Sequence, residues 1–197
     1  MSADERTIAE VVRRVLAAVD AREGRAGTTP PAAPGDAKVV ASPAGVPAPW
    51  PPRRIAVGAD HGGFERKEQV RQWLVAAGYE VVDCGTSGPQ SVDYPDFAAA
   101  VARQVAAGKC QAGVIVDGAG IGSGMAANKI RGVRCAVAWN IDSVRNAREH
   151  NDANVLSFGA GFVPFALARR MVELFVRTPC GGGRHEKRVA KIMELER

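Results

Sequence analysis

The strongest candidate for chemistry in this sequence is a glycine-rich run that follows an aspartate. Apolar residues 114–116 lead to Asp117, alternating glycines follow, and a helix-forming segment comes next. This order predicts a buried strand, a tight loop and a helix start, which together present backbone N–H groups to an anion. A turn that uses glycine only for close packing is the alternative. The candidate ligand-facing residues are Gly118, Ala119, Gly120, Gly122, Ser123 and Gly124.

Histidines and arginines form a second group of candidates. His61 and His150 lie in glycine-rich or polar contexts, where a histidine can act as a proton shuttle near neutral pH. Arg184 and Arg188 are four residues apart, so both guanidinium groups lie on one helix face and suit a phosphate. Surface histidines and a solvated basic face are the alternatives.

These candidates need a scaffold, and the sequence predicts one from Arg53 onward. Strands are predicted at 54–58, 79–84, 112–117, 134–139 and 154–158, and helices near 65–77, 95–107, 123–130 and 142–150, after Pro164 and after Arg184. Strict alternation predicts an α/β fold, a three-layer sandwich with a five-stranded parallel sheet. Ligands of such folds bind at the carboxyl ends of the strands, where we expect the Asp60, Asp117 and His150 motifs to meet.

The N-terminal part of the chain is predicted to be an appendage to this fold. Residues 2–22 carry apolar side chains at helical spacing, which predicts an amphipathic docking helix over residues 1–23. Residues 24–53 are rich in proline, alanine and glycine, which predicts a linker to a domain over 54–197. The arrangement resembles the encapsulation peptides that bind shell proteins of bacterial microcompartments. Folding back onto the domain, or self-association, is the alternative.

Composition and charge narrow the class of protein. No apolar run approaches the roughly 20 residues of a membrane span, and the charged N-terminus lacks the apolar block of a secretory signal, so we expect a cytoplasmic protein. The net charge of +5 comes without a basic block interleaved with aromatics, which favours a small anionic substrate over nucleic acid. The four cysteines form no ligand cluster with the three histidines, so we expect no metal.

Five motifs occur in order between about residue 54 and the C-terminus. They are GADHGG at 58–63, DYP at 93–95, AANK at 126–129, REHNDANVL at 148–156 and GGRHEKR at 182–188. Together they resemble the type B ribose-5-phosphate isomerase family, which includes the galactose-6-phosphate isomerase subunits. The resemblance implies a Rossmann-like domain and a homodimer with active sites between subunits, and it leaves a tetramer open. It also implies metal-free isomerisation of a sugar phosphate through an enediolate.

The resemblance also implies roles for individual residues. His150 resembles the histidine that helps to open the sugar ring, with Asn151 beside it, and Asp60 and His61 resemble substrate-binding residues. Tyr94 is a candidate substrate contact, with packing at a strand mouth as the alternative.

The resemblance further implies two ways of holding the substrate's charges. Arg184 and Arg188 resemble a phosphate clamp that reaches the partner subunit's site. The backbone N–H groups of residues 118–124 would face the enediolate oxygens, because preorganised donors stabilise developing charge.

The chain departs from the family pattern where the chemistry happens. Asp117 stands where many members have a cysteine base, Ala119 where they have a threonine, Ser123 where a subgroup has a glutamate base, and Gly161 where an arginine often binds phosphate. A desolvated, aligned carboxylate can abstract a proton next to a carbonyl, so Asp117 is the candidate base. Two hypotheses remain: an aldose–ketose isomerase that uses Asp117, and a non-catalytic or heteromeric subunit that binds sugar phosphate.

Overall fold

The computed structural model describes residues 50–196, so the predicted docking helix and almost all of the predicted linker lie outside the described residues. The strands are β1 (Arg54–Ala59), β2 (Glu80–Asp83), β3 (Ala112–Asp117), β4 (Cys135–Val137) and β5 (Val155–Gly159). The helices are α1 (Phe64–Ala76), α2 (Tyr94–Ala106), α3 (Ile121–Ala127), α4 (Ile141–Asn151), α5 (Phe165–Arg177) and α6 (Arg184–Glu194). No helix of this part of the chain has the length and apolar character needed to cross a membrane.

The five strands form one parallel sheet in the order β2-β1-β3-β5-β4. Ala59 pairs with Val116, and Asp117 pairs with Gly159, so β1, β3 and β5 end at the same edge of the sheet. The chain leaves β1 toward β2 on one side and returns to β3 on the other. This reversal opens a crevice between the carboxyl ends of β1 and β3, where ligands bind in such sheets.

Helices cover both faces of the sheet and make three layers. Alternate residues of β1 show why, because Ile55 and Val57 pack in one apolar cluster and Ala56 packs in the other. The first cluster also takes the buried faces of α1, α4 and α5, and the second takes those of α2 and α3. The predicted three-layer fold with a five-stranded parallel sheet is therefore confirmed.

Most observed elements lie within a residue or two of their predicted bounds, and α3 differs in an informative way. The predicted helix begins at Ser123, whereas α3 begins at Ile121, inside the glycine run. Gly120 precedes it with a φ of 82°, a left-handed conformation that glycine adopts without strain. Gly122, Ser123 and Gly124 therefore lie in the first turns of α3.

The last residues assigned to the linker pack on the domain. Trp50 contacts the cluster under α5, where its ring meets Phe175 edge-on with centroids 5.8 Å apart. Pro52 is buried. The contacts of the folded domain thus begin at least as early as Trp50.

Candidate functional site

The crevice at the carboxyl ends of β1 and β3 holds two buried carboxylates, and we call it the mouth. Asp60 follows β1 and is 8% exposed, and Asp117 ends β3 and is 5% exposed. The loop after β1 crosses close to β3, because a Cβ atom added at Gly63 would lie 2.1 Å from the carbonyl oxygen of Val116. The glycine at this position lets the two chain segments approach, and so brings the two carboxylates to one site.

Burial acts on the Asp60 carboxyl. Removal from water raises its pKa, and the charge of Asp117 adds to the rise, while the N–H of Gly63 and the ring of His61 oppose it. Asp60 Oδ1 accepts that N–H bond at 3.0 Å. Asp60 is therefore oriented by the backbone and holds a proton more readily than an exposed aspartate.

The Asp117 carboxylate holds the glycine-rich segment in place. Its Oδ1 accepts the N–H of Ala119 at 2.8 Å and also the N–H of Gly120, and its Oδ2 accepts the N–H of Ser123 at 3.2 Å. The carboxylate thus satisfies the N–H groups of the N-cap Gly120 and of Ser123, which have no partner within the helix, and so stabilises a helix that begins at Ile121. Three N–H groups expected to face a substrate point at Asp117 instead.

Further contacts fix the same segment, residues 117–122, which we call the glycine loop. Ser157 Oγ donates to the carbonyl oxygen of Gly120 at 2.7 Å, and the N–H of Gly161 donates to that of Gly118 at 3.1 Å. A Cβ atom at Gly120 would lie 2.5 Å from the backbone of Phe158. The loop therefore has one well-determined conformation.

His61 and Tyr94 border the mouth. His61 Nδ1 accepts the N–H of Val92 at 3.2 Å, so a neutral His61 ring carries its proton on Nε2 and presents it as a donor. Tyr94, at the start of α2, lies over the glycine loop, because a Cβ atom at Gly122 would come within 2.7 Å of its ring. The ring is 42% exposed, so Tyr94 both packs on the loop and faces outward.

Three cysteines are unsuited to act as a base at this site. Burial raises the pKa of Cys84 to about 11 and those of Cys110 and Cys135 to about 12. A thiol with such a pKa carries almost no thiolate at neutral pH. The bases left at the mouth are therefore the Asp60 and Asp117 carboxylates and the His61 ring.

His150 lies in a different part of the domain, at the end of α4. Its ring stacks on that of His185, with centroids 4.3 Å apart and 4° between the planes, and its Nδ1 lies 2.9 Å from the Asn146 amide nitrogen. The two rings border a cleft of about 280 Å³, which we call the histidine cleft. Its lining residues are Glu149, His150, Thr178, Pro179, Cys180, Gly181 and His185.

The predicted arginine pair belongs to this second cluster. Arg184 and Arg188 are exposed at the start of α6, next to His185. Desolvation, then the charges of His150, Arg184 and Arg188, lower the pKa of His185. A neutral His185 ring can stack on His150 without charge repulsion. Sequence reasoning gave His185 no definite role, although its position between the two arginines was visible.

Asp152 and two arginines fix the turn after His150. Asp152 has a φ of 47°, and its two carboxylate oxygens accept from Arg148 Nη1 and Arg134 Nη2, each at 2.9 Å. Arg134 Nε also donates to the carbonyl oxygen of Asn151 at 3.2 Å. Asn151 lines a groove of about 500 Å³ beside α6 and is not among the lining residues of the histidine cleft. Sequence reasoning missed Arg134 and Arg148 as supports of this turn.

The mouth and the histidine cleft lie at opposite ends of the sheet. The residue before β5, Asn154, accepts from the N–H of Gly113 near the start of β3, and His150 lies four residues earlier. Asp117 and Gly159 mark the other end. At about 3.3 Å per residue, the strands separate the two ends by on the order of 15 Å. The expectation that the His150 motif meets the Asp60 and Asp117 motifs within one chain is therefore wrong.

Metal ligands do not cluster in the part of the chain that the structure describes. Among residues 50–196, no three histidine, cysteine, aspartate or glutamate side chains are placed to hold one ion.

Comparison with known proteins finds relatives that all carry the name of a sugar isomerase. Residues 55–192 match the family described as ribose/galactose isomerase. Ribose-5-phosphate isomerase B of Escherichia coli is 40% identical over 73% of this chain and 97% of the relative. Ribose-5-phosphate isomerase B of Mycobacterium tuberculosis is 38% identical over 73% of this chain and 90% of the relative.

Solved structures show the same similarity in three dimensions. Ribose-5-phosphate isomerase B of Clostridium thermocellum superimposes with a TM-score of 0.72 at 45% identity, covering 73% of this chain and 97% of that one. Type B ribose 5-phosphate isomerase of Trypanosoma brucei gives a TM-score of 0.71 at 41% identity, covering 73% and 99%. The matched part is the folded domain described above.

Proposed function

The chain belongs to the ribose/galactose isomerase family, and from that premise we propose that it converts ribose 5-phosphate to ribulose 5-phosphate through an enediolate. The domain is that of a sugar-phosphate isomerase, since relatives carrying that activity in their names match it over nearly their whole length. The choice of ribose 5-phosphate among phosphorylated sugars rests on those names.

One observation carries the proposal for how the site is assembled. The mouth and the histidine cleft lie at opposite ends of one sheet, so one protomer cannot bring both to the same sugar. A homodimer in which the His150 end of one copy meets the mouth of the other forms two complete sites. Exposed apolar side chains near the mouth supply surface for such an interface: Ile121, Met125 and Trp139. Pairing of dimers into a tetramer would need further surface.

The mouth would carry out the proton transfer. Asp117 Oδ2 accepts one N–H bond, and a carboxylate oxygen can accept a second, so this oxygen can take the proton from C2 of the open-chain aldose. Returning that proton to C1, while the hydroxyl proton on O2 passes to O1, gives the ketose. Asp60 and His61 would bind sugar hydroxyls, and the outward-facing Tyr94 would close one side of the mouth.

The partner's cleft would open the ring and bind the phosphate. His150 would accept and donate the proton exchanged between the anomeric hydroxyl and the ring oxygen, and Asn151, the next residue of the chain, would bind a hydroxyl of the same sugar. Arg184 and Arg188 are exposed and four residues apart on α6, so both can bond one phosphate.

Mixing two inactive variants tests this arrangement. Asp117→Asn removes the base from the mouth, and His150→Ala removes the ring-opening histidine from the cleft. When the purified variants are unfolded and refolded together, half of the dimers are mixed, and each mixed dimer has one intact site. Activity should then return to about a quarter of the wild-type value, as follows for random pairing. Mixtures that stay inactive although native mass spectrometry shows mixed dimers would overturn the shared site.

A second function is favoured by one specific feature. Asp117 already accepts three backbone N–H groups, a structural task that a binding subunit would also need. In that case the protein binds sugar phosphate without turning it over, or acts with a paralogous chain. Incubation of the purified protein with ribose 5-phosphate separates the two, because tight binding without ribulose 5-phosphate formation supports the binding subunit.

For the N-terminal part we propose a docking role. A helix over residues 1–23 and a linker that begins at residue 24 and ends before the packed Trp50 would make a tethered enzyme of the cytoplasm, which residues 2–22 direct to shell proteins of a bacterial microcompartment. The support is the sequence pattern alone. Deletion of residues 2–22 should leave isomerase activity unchanged and abolish co-localisation with shell proteins. Unchanged co-localisation would remove this proposal.

A further inference from the structure

The position of Trp50 is notable because it precedes the matched family domain. The family match begins at residue 55, whereas Trp50 lies in the stretch that the sequence assigns to the linker. Its ring lies over the guanidinium of Arg148, with the central carbon of that group 3.5 Å from the ring centroid. Phe175 supports the ring edge-on from α5. A residue of the N-terminal extension thus forms part of the environment of a charged side chain on α4.

Arg148 is an almost completely buried cation. It is 1% exposed, and burial is the main cause that lowers its pKa, with Asp152 opposing. Arg148 Nε donates to the carbonyl oxygen of Thr178 at 2.9 Å, and its Nη1 donates to Asp152 Oδ1 and to the carbonyl oxygen of Ala153. A planar cation with donors in its plane leaves its two faces for aromatic contact, and Trp50 covers one face.

The partners of Arg148 are the segments that frame the candidate site. Asp152 and Ala153 form the turn directly after His150 and Asn151, and Thr178 begins the segment that lines the histidine cleft. Arg148 itself lies two residues before His150 on α4. Arg148 therefore links the helix that carries His150 to the opposite wall of the cleft at Thr178.

We propose that Trp50 is a positioning residue for His150 and Asn151, and that through it the N-terminal extension contributes to the site that the family domain carries. Stacking on Arg148 excludes water from the guanidinium and holds it in the geometry that bonds Thr178 and Asp152. This inference rests on the proposed function for its kinetic consequences. Its structural part, the orientation of the two stacked histidine rings, stands independently of any turnover.

Trp50→Leu in the full chain is the main test, because leucine retains apolar burial and loses the aromatic face. We expect kcat/KM for ribose 5-phosphate to fall about tenfold or more, since small misplacements of catalytic groups are costly. We also expect the side-chain NMR resonances of His150 and His185 to shift and broaden. Trp50→Phe should keep kcat/KM and the histidine resonances close to wild type, because phenylalanine retains an aromatic ring over Arg148. It also removes the buried indole N–H, which has no partner among the described residues.

Trp73→Leu is the matched control. Trp73 packs on the same apolar cluster as Trp50, from α1, so its loss lowers the melting temperature without touching Arg148. We expect it to leave the histidine resonances and kcat/KM close to wild type at a temperature where both variants are folded.

Three outcomes decide the matter. If Trp50→Leu and Trp73→Leu alter the histidine resonances equally, or if neither alters them, Trp50 is an ordinary packing residue and the inference is overturned. If the wild-type protein has no isomerase activity but Trp50→Leu alone displaces the histidine resonances, the proposed function fails and the positioning role holds. If Trp50→Phe behaves like Trp50→Leu, stacking on Arg148 is not the cause.

Discussion

Replacing Asp117 by asparagine separates its two tasks, that of holding the glycine loop and that of taking a proton. An asparagine oxygen in the place of Oδ1 can still accept the N–H groups of Ala119 and Gly120. Its NH₂ group would then face the N–H of Ser123, so two donors meet where the carboxylate accepts. The substitution keeps the size of the side chain and removes its charge, so the expected losses come from hydrogen bonding and chemistry.

The size of the stability loss follows from these bonds. Two charge-assisted bonds become neutral ones, each weaker by about 1 kcal/mol, and a third bond is lost at about 1–3 kcal/mol, offset in part by the removal of a buried charge. A net loss of about 2–4 kcal/mol corresponds to a decrease of about 5–15 °C in melting temperature for a domain of this size. Loss of a general base should lower kcat by about 10²- to 10⁴-fold.

Calorimetry and a ribulose 5-phosphate assay measure the two effects on the same sample. Ser157→Ala is the control, because it removes a bond from the hydroxyl to Gly120 of the same loop and leaves the carboxylate in place. We expect this control to lower the melting temperature by a few degrees and kcat by far less than Asp117→Asn does. If Asp117→Asn keeps kcat within about threefold of wild type while its melting temperature falls, the carboxylate is only a loop anchor and the base assignment is refuted.

Three further predictions concern the mouth and the arginine pair. Asp60→Asn should raise the melting temperature at pH 7. The native pKa of Asp60 lies above its ordinary value of 3.8, so the charged carboxylate lowers stability increasingly as pH rises from 3.8 through the native pKa. The gain from asparagine should therefore shrink as pH falls toward 3.8. Gly120→Ala should destabilise the domain by about 1–3 kcal/mol or more in denaturant titrations, whereas Gly118→Ala, whose added Cβ atom meets nothing within 4 Å, should not. Arg184→Gln and Arg188→Gln should each raise KM for ribose 5-phosphate about tenfold with a smaller change in kcat. KM values equal to that of the wild type would contradict phosphate binding by that pair.

The sequence predicts the layers of this fold well, because alternation of strand and helix patterns is a local property. It does not predict that β5 lies between β3 and β4, since the pairing of strands depends on contacts between distant segments. The early start of α3 is not predicted from the sequence, because glycines are poor helix formers. Its cause is the Asp117 carboxylate, four positions before Ile121, which accepts the N–H groups of Gly120 and Ser123.

The sequence identifies the candidate residues of the site, but it predicts their positions relative to one another only in part. The motif with His150 directly precedes a strand, and a residue before a parallel strand lies at the amino end of the sheet, so its separation from Asp117 followed from the predicted elements. The roles of Arg148 and Trp50 could not be predicted, because their contact joins residues about 100 positions apart. Local sequence patterns do not indicate which distant segments of an α/β fold come together.

The hydrogen bonds of Asp117 are unequal, and this inequality links its structural role to its chemical one. Oδ1 accepts two N–H groups of the glycine loop and has no capacity left, whereas Oδ2 accepts one, from Ser123, and can accept another proton. The loop therefore fixes the rotation of the carboxylate and determines which oxygen can react. A cysteine at this position could react but could not accept three N–H groups, so the early start of α3 and the aspartate are expected to occur together. Asp117→Cys should accordingly loosen the loop even if the thiol reaches the substrate.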